Sequence, residues 1–416
     1  MSWEKLEFEE IKTEVFSALN ENQSYYKDHI FGIPGTHLDS KIFPETEPFL
    51  KHAPFIRSLV ENPNHIGVHT LKTHMEHWSG TQKLERDVLK MCAEDIFKAS
   101  PNSYDGYIAT GGTEANLQAM WMYRNLYIKT DQVKPADIVV FYSEDCHYSM
   151  SKGANLLGIT EHILKVDVDA REINQNQFRK DIHTHVSKGR KHFIMILNMG
   201  TTMFGSVDEL EPVVDIFNEF DVYYKVHIDA AFGGFIYPFT NPKYTLHFGN
   251  LEVSSISVDA HKMLQAPYGT GVFLCRKGLL KYVENDDAGY IDGFDHTICG
   301  SRSGANAVSV WMILKVHGYQ GLKRRMEELW ERTNYLESKL NDLRIKFYRD
   351  PSMNIITIHS EYIPEYIARD FVLVPETHTE VNKWWKIVVM EHVSYALIDN
   401  FIGQVKDELK KVIAIS

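Results

Sequence analysis

The sequence predicts an α/β chain, a mostly parallel sheet flanked by helices with a smaller α+β C-terminal unit after it. Short runs that are near-continuously apolar or β-branched recur along the chain, as strands buried on both faces should. Helical stretches separate most of these runs from about residue 61 to 303, the alternation expected of successive βα units. Beyond 303 the pattern changes to one long helical stretch followed by two further apolar runs with a helix between them.

Taken in order, residues 1–60 hold a helix and then the irregular FGIPGTHLDSKIFPETEPF, whose Gly and Pro residues read as an extended arm. Residues 61–303 make the large unit. Its strands are DIVVF (137–141), FIMIL (193–197), YYKVHI (223–228), SSISV (254–258) and GVFLC (271–275). In ATGGTEANLQAMW a Gly-Gly pair runs directly into a strong helix. Residues 304–416 make the small unit, with a helix from 305 to about 345, then NIITIH, a helix and WWKIVVMEH. No internal repeat or low-complexity tract interrupts this organisation.

Composition narrows the partners. The 416 residues, 44% of them hydrophobic, suffice for two packed units, because one domain takes about 100–200 residues. A formal net charge of −12 argues against nucleic acid or an anionic membrane, either of which calls for a basic face. A small molecule is the expected partner. No run approaches the roughly 18 apolar residues of a bilayer span. The N-terminal MSWEKLEFEEIKTEV lacks a signal-peptide core, so a soluble cytoplasmic protein is expected. Cys92, Cys146, Cys275 and Cys299 form no CxxC pair, which fits reduced thiols rather than a disulfide frame or a zinc site. His74 and His77 have metal-pair spacing but no suitable carboxylate, so no metal is expected. A substrate contact from His65, His69, His74 or His77 is the better reading.

Ligands of parallel sheets bind beyond the carboxyl ends of the strands, so the residues just after each run carry the functional signal. They are SEDCHYS, DAAFGG and DAHK, which bring His147, Asp229 and Lys262 toward one edge. A lysine between a buried strand and the turn APYGTG favours a desolvated amine. The backbone N–H groups of Gly112 and Thr113, opening a helix, form a cradle for a phosphate. Each piece alone has a plainer explanation: a cap, a strand-ending turn, a loop histidine, a solvated lysine. Their conjunction meets the needs of pyridoxal phosphate, which requires a Schiff-base lysine, a carboxylate for the pyridine nitrogen, a flat group on the ring face and phosphate donors.

The order TGGTEAN, DCHYS, GTTMFGSVD, HIDAAFGGF, SVDAHKM and GSRSG resembles the pyridoxal-phosphate-dependent amino-acid decarboxylases of group II, which have the aspartate-aminotransferase type of fold. Within that group the chain is most similar to archaeal tyrosine/aspartate decarboxylases and next to bacterial histidine decarboxylases. The resemblance implies that Lys262 carries the cofactor, with His261 helping to bind the phosphate. It implies that Asp229 pairs with the pyridinium nitrogen, and that Ala231 lies against one ring face with His147 on the other. Gly112 and Thr113 would bind the phosphate, and Thr201 or Thr202 would sit near the phenolic oxygen or the substrate. Tyr290, in ENDDAGYIDGFDHT, is the implied proton donor. Gly300 and Ser301 would reach the phosphate of a neighbouring subunit, implying a homodimer with shared active sites. The implied reaction is decarboxylation of an L-amino acid, with tyrosine, aspartate or glutamate first and histidine next. Transamination or carbon–carbon lyase chemistry on the same lysine is the alternative.

Some residues depart from the pattern. Lys386 stands where the similar archaeal enzymes carry an arginine, so a bidentate contact to a carboxylate is not available there. Asp259, an acid beside a phosphate site, is unfavourable unless it turns away or binds a cationic neighbour. Arg369 in YIARDF, a candidate carboxylate clamp for transamination, reads as a helix-surface residue.

Overall fold

An amphipathic helix opens the chain. In α1 (Phe8–Glu21) the buried Ile11, Val15, Ala18 and Leu19 share one face, and Glu7 and Glu10 close a capping box at its start. After α2 (Pro54–Val60) and β1 (Asn64–His65), that face packs on α3 (Ser79–Lys90). The approach is close: a Cβ on Gly80 would stand 1.8 Å from the carbonyl oxygen of Ala18. The computed structural model describes residues 2–24, 28–30, 38–44, 46–61, 64–65, 71, 76–285, 294–376 and 383–415.

The alternating region follows as β2 (Tyr104–Ala109), α4 (Gly112–Asp131), β3 (Ile138–Ser143), α5 (Ser149–Leu157), β4 (Thr160–Leu164), α6 (Gln175–Ser187) and β5 (His192–Asn198). It continues with α7 (Leu210–Asn218), β6 (Tyr223–Asp229), α8 (Tyr237–Thr240), β7 (Val253–Asp259), α9 (Ala260–Met263) and β8 (Gly271–Arg276). The strands form one sheet in the order β2-β8-β7-β6-β5-β3-β4. Pairings among β7, β6, β5, β3 and β4 are parallel, and β8 runs antiparallel to both β2 and β7. In β3, β5 and β8 the apolar runs are continuous because helices cover both faces. Val139 and Phe141 of β3 enter one core with Phe178 and Phe217, while Ile138, Val140 and Tyr142 enter another with Met120 and Tyr123. Register aligns the strand ends, since Asn198 stands opposite Asp229 and Asp229 opposite Ser257.

Two strands of this sheet are absent from the sequence-based list. In β2, Asp105 and Gly106 break the apolar run, although all six residues are buried. The edge strand β4, TEHIL, is half exposed and correspondingly polar.

Beyond the sheet, β9 (Arg302–Ser303) pairs with β1 and leads into α10 (Gly304–Asp342). This helix breaks at Gly318 (φ 63°, ψ 171°), where a Cβ would come within 2.6 Å of the Lys5 backbone nitrogen. Then come β10 (Phe347–Tyr348), β11 (Ile355–His359), α11 (Glu365–Asp370), β12 (Val374–Pro375), β13 (Trp384–Val388) and α12 (Tyr395–Ile415). These strands make an antiparallel sheet in the order β10-β11-β13-β12. Ile356 and Ile358 of β11 pack into a third core with Leu336 and Phe401, leaving Ile355 to the opposite face, toward the large sheet.

Candidate active site

The carboxyl ends of β2, β3, β5, β6 and β7 surround one cavity of about 560 Å³, closed on the other side by Ile355, Lys386 and Val388. Each strand delivers its residue by the same local rule, an apolar run ending in a short polar turn. Gly112 and Thr113 come from the turn after β2 and His147 from the turn after β3. Thr201 and Thr202 follow β5, Asp229 and Ala231 follow the core of β6, and His261 and Lys262 follow β7; all line the cavity.

Lys262 sits beside the acid that ends its own strand. Its Nζ is 3.3 Å from Asp259 Oδ2, and His261 Nε2 approaches the same oxygen at 3.5 Å. Asp259 therefore takes the second of its two allowed roles, binding a cationic neighbour. Burial raises its carboxyl above the ordinary range, with Lys262 and His261 opposing that shift. Lys262 is less enclosed than its position after a buried strand suggests: its side chain is 36% exposed, because it projects into the open cavity.

The helix start is shaped for close approach. Gly111 has φ 156°, and no side chain caps α4 among the described residues. A Cβ on Gly112 would lie 3.0 Å from both the Ala231 Cβ and Asp259 Oδ2. Across the cavity, His147 Nδ1 bonds to the Ser149 hydroxyl at 2.9 Å, and burial lowers the pKa of the ring. Asp229 accepts hydrogen bonds from Asn116 Nδ2 at 2.9 Å and from the Ala231 N–H at 3.1 Å.

These residues fit pyridoxal phosphate. The cavity holds a lysine, a fixed carboxylate and an imidazole, and the uncapped start of a 20-residue helix offers free N–H groups to an anion. His261 Nδ1, buried, has no hydrogen-bond partner among the described residues, as expected of a group that awaits a polar ligand. Residues 47–357 match the pyridoxal-dependent decarboxylase conserved domain. The chain belongs to the pyridoxal-dependent decarboxylase family. It is 44% identical over 402 residues to the tryptophan decarboxylase of Clostridium sporogenes, covering 96% of each chain. It is 31% identical over 352 residues to a probable L-tyrosine/L-aspartate decarboxylase of Methanococcus maripaludis, covering 80% of this chain and 86% of that one. Among solved structures, L-methionine decarboxylase from Streptomyces sp.590 bound to L-methionine methyl ester shares the fold, with a TM-score of 0.68 at 20% identity, covering 96% of this chain and 93% of that one. The chain is thus a pyridoxal-phosphate-dependent amino-acid decarboxylase.

Other sequence-predicted residues of the decarboxylase lie elsewhere. Gly300 and Ser301 do not line the cavity of their own chain; Gly300 N–H bonds to Thr297 Oγ1 at 3.0 Å and Ser301 is exposed. Tyr290, His69 and His74 lie outside the described residues. His65 is 1% exposed and is taken up by Thr81 at 2.8 Å and Glu85 at 3.3 Å, so it has no face to offer a substrate. Arg369 is an exposed partner of Glu365; Arg349, an arginine of the small unit that the sequence reading did not single out, is bound to Glu337 and the Met353 carbonyl. Neither arginine lines the cavity.

Sequence reasoning missed Asn116, Phe232, Ile355 and Val388 as cavity residues. For Asn116 a signal was present. It lies one helical turn after Gly112, on the same face as the helix start, and a buried amide there requires partners.

Proposed function

We propose that the cavity decarboxylates an aromatic L-amino acid, with tryptophan the first substrate to test. The observation that carries this reading is the gathering of Lys262, Asp229, His147 and the Gly112–Thr113 helix start around one cavity. In it, Lys262 would hold the cofactor through Nζ, Asp229 would meet the ring nitrogen, and Ala231 and His147 would flank the ring. Gly112, Thr113 and His261 would bind the phosphate, with Thr202 near the phenolic oxygen. When bound, pyridoxal phosphate supplies the electron sink that allows carbon dioxide to leave the α-carbon.

The chain's own residues bind, orient and move protons. Asp259 orients the Lys262 amine. His147, anchored at Nδ1 by Ser149, lines the cavity and would orient the substrate over the ring, while Lys262 can hold or deliver a proton at the α-carbon. Tyr148, Phe232, Tyr268, Ile355 and Val388 line the cavity with aromatic and apolar surface, which suits a flat side chain. The relative named for tryptophan points the same way. Lys386 Nζ, 2.9 Å from the Thr202 carbonyl oxygen, is a point charge available to a substrate carboxylate.

A panel of L-amino acids tests the reading. Tryptophan should give its amine and carbon dioxide fastest, ahead of tyrosine, with aspartate and glutamate far behind. A preference for an acidic substrate, or keto-acid formation that depends on an acceptor, overturns it.

The position of Gly300 and Ser301 away from their own cavity supports a homodimer with shared sites. Mixing Lys262→Ala with an inactive Ser301 variant should then restore part of the activity, because some hybrid dimers contain one intact site. No recovery would count against shared sites. No described helix is long and apolar enough to cross a membrane, and the cytoplasm is the proposed setting.

A further inference from the structure

Asn116, 1% exposed, uses all four hydrogen-bonding positions of its amide. Oδ1 accepts from His227 Nε2 at 2.9 Å and from the Ser257 hydroxyl at 2.7 Å. Nδ2 donates to Asp229 Oδ2 at 2.9 Å and to Ser149 Oγ at 3.3 Å. The opposite amide orientation would set an oxygen against the Asp229 carboxylate, so the neighbours fix which end is which.

That choice propagates in both directions. Since Oδ1 only accepts, His227 Nε2 must carry the hydrogen, and His227 Nδ1 is left to accept from Ser255 Oγ at 2.7 Å. Ser255 Oγ in turn bonds the Tyr123 hydroxyl. On the other side, Ser149 Oγ takes its hydrogen bond from Asn116 and gives its own hydrogen to His147 Nδ1 at 2.9 Å. The Ser149 N–H donates to the same nitrogen at 3.3 Å. With Nδ1 accepting, the hydrogen of the neutral His147 ring is on Nε2. Burial disfavours the protonated form of both rings, holding His227 at about 4 and lowering His147.

We propose that Asn116 is a positioning residue that joins Asp229 to His147 and, through one directed hydrogen-bond chain from Tyr123, fixes His227 and His147 as Nε2–H tautomers. The consequence for chemistry rests on the proposed function. An Nε2–H at His147 presents a donor to a substrate carboxylate, whereas a lone pair there would repel it. The link also means that Asn116, which donates to Asp229, is bonded to Ser149, the residue that orients His147, so a change at Asn116 reaches both.

Histidine side-chain nitrogen NMR at pH 7.5, on the protein with pyridoxal 5'-phosphate and on the cofactor-free protein, tests the proposal. Both His147 and His227 should show the Nε2–H pattern. In Asn116→Leu the His147 signal should shift to a tautomer mixture, and affinity for pyridoxal 5'-phosphate should fall on the order of tenfold to a hundredfold, as for a lost hydrogen bond to a charged group. Two milder variants avoid dependence on that substitution. His227→Gln keeps a donor where Nε2 stood and should preserve both readouts; His227→Asn, of similar size, keeps only the Nδ1-side group and should lose them. An Nδ1–H tautomer at either ring of the native protein overturns the proposal. So does an Asn116→Leu protein with unchanged His147 signal and cofactor affinity, or equal behaviour of the two His227 variants. A substrate panel that yields no amine would instead remove the decarboxylation reading and leave these tautomers standing.

Discussion

Replacing Glu85 should be among the most destabilising single changes in the chain, although Glu85 touches no part of the cavity. Its carboxylate is 0% exposed, accepts the Ile108 N–H at 2.8 Å, pairs with the buried Arg302 and lies 3.3 Å from His65 Nδ1. Burial alone would raise the Glu85 carboxyl; the Arg302 guanidinium overrides it and holds the group well below the usual range. Glu85→Leu leaves a buried guanidinium whose remaining hydrogen-bond partner among the described residues is the Ile108 carbonyl oxygen at 3.2 Å, with the Tyr107 ring 5.1 Å away. An uncompensated buried charge costs about 3–5 kcal/mol. The double variant Glu85→Leu/Arg302→Met removes both charges and leaves mainly the Ile108 N–H unpaired, a loss of about 1–3 kcal/mol. Unfolding entropy of about 2.1 cal/mol/K per residue makes one kcal/mol worth about 1 °C in a chain of this length. Melting scans at fixed protein and cofactor concentration should therefore show Tm lower by about 3–5 °C for Glu85→Leu and by about 1–3 °C for the double variant. A single variant that melts with the native protein, or a double variant worse than either single, would refute the argument.

Lys262→Ala should fold, as judged by circular dichroism, yet show no borohydride-reducible attachment of pyridoxal phosphate; reducible cofactor in that variant would show that another amine carries it. Asp229→Ala should bind the cofactor weakly and lose turnover by on the order of a hundredfold or more, and near-native turnover would remove Asp229 from the proposed role. Acid should destabilise the fold through His227, which titrates near 6.5 in the unfolded chain and at about 4 in the fold. Between those values the unfolded state holds more protons, so stability rises with pH and falls by about 2 kcal/mol from neutrality to pH 5. Unfolding titrations at pH 7.5 and 5 should show this loss shrinking in His227→Gln, and an unchanged pH slope there would be contrary.

What the sequence made legible depends on how local each signal was. β3, β5 and β8 stand out because side chains on both faces enter cores, which makes their apolar runs continuous; β6 and β7 give Val226, Ile228, Ile256 and Val258 to one core and carry buried polar residues such as His227, Ser255 and Ser257 on the other face. β2 does not stand out, because Asp105 is buried to accept the Gly278 N–H at 2.6 Å and Gly106 is required where a Cβ would lie 2.4 Å from the Phe273 carbonyl oxygen. Both residues answer to segments far along the chain. The cavity residues were legible for a topological reason, since parallel strands bring their carboxyl ends to one edge. The residues that support them were not, because Asn116 meets Asp229 across 113 positions and Glu85 meets Arg302 across 217. Asp259 lies between these cases: the sequence showed an acid beside a lysine, and only the geometry showed that its oxygen faces Lys262 rather than solvent.

Charge inside the cavity gives that pairing a further meaning. Two lysines, Lys262 and Lys386, share the space with three acids, Glu114, Asp229 and Asp259. Burial lowers the Lys386 pKa, and repulsion from Lys262 adds to the shift. On the proposed reading Lys262 would serve the cofactor and proton transfer, so the lysine left to meet a substrate carboxylate is Lys386. This lysine lies on β13 opposite Thr357 of the neighbouring β11, and Val388, two residues on and on the same face, stands opposite Ile355. A carboxylate that meets Lys386 would lie beside Val388 and Ile355, which line the same cavity and screen a point charge less than water does. On the proposed reading, that arrangement suits a substrate with one anionic end and an otherwise apolar body, as an aromatic amino acid has.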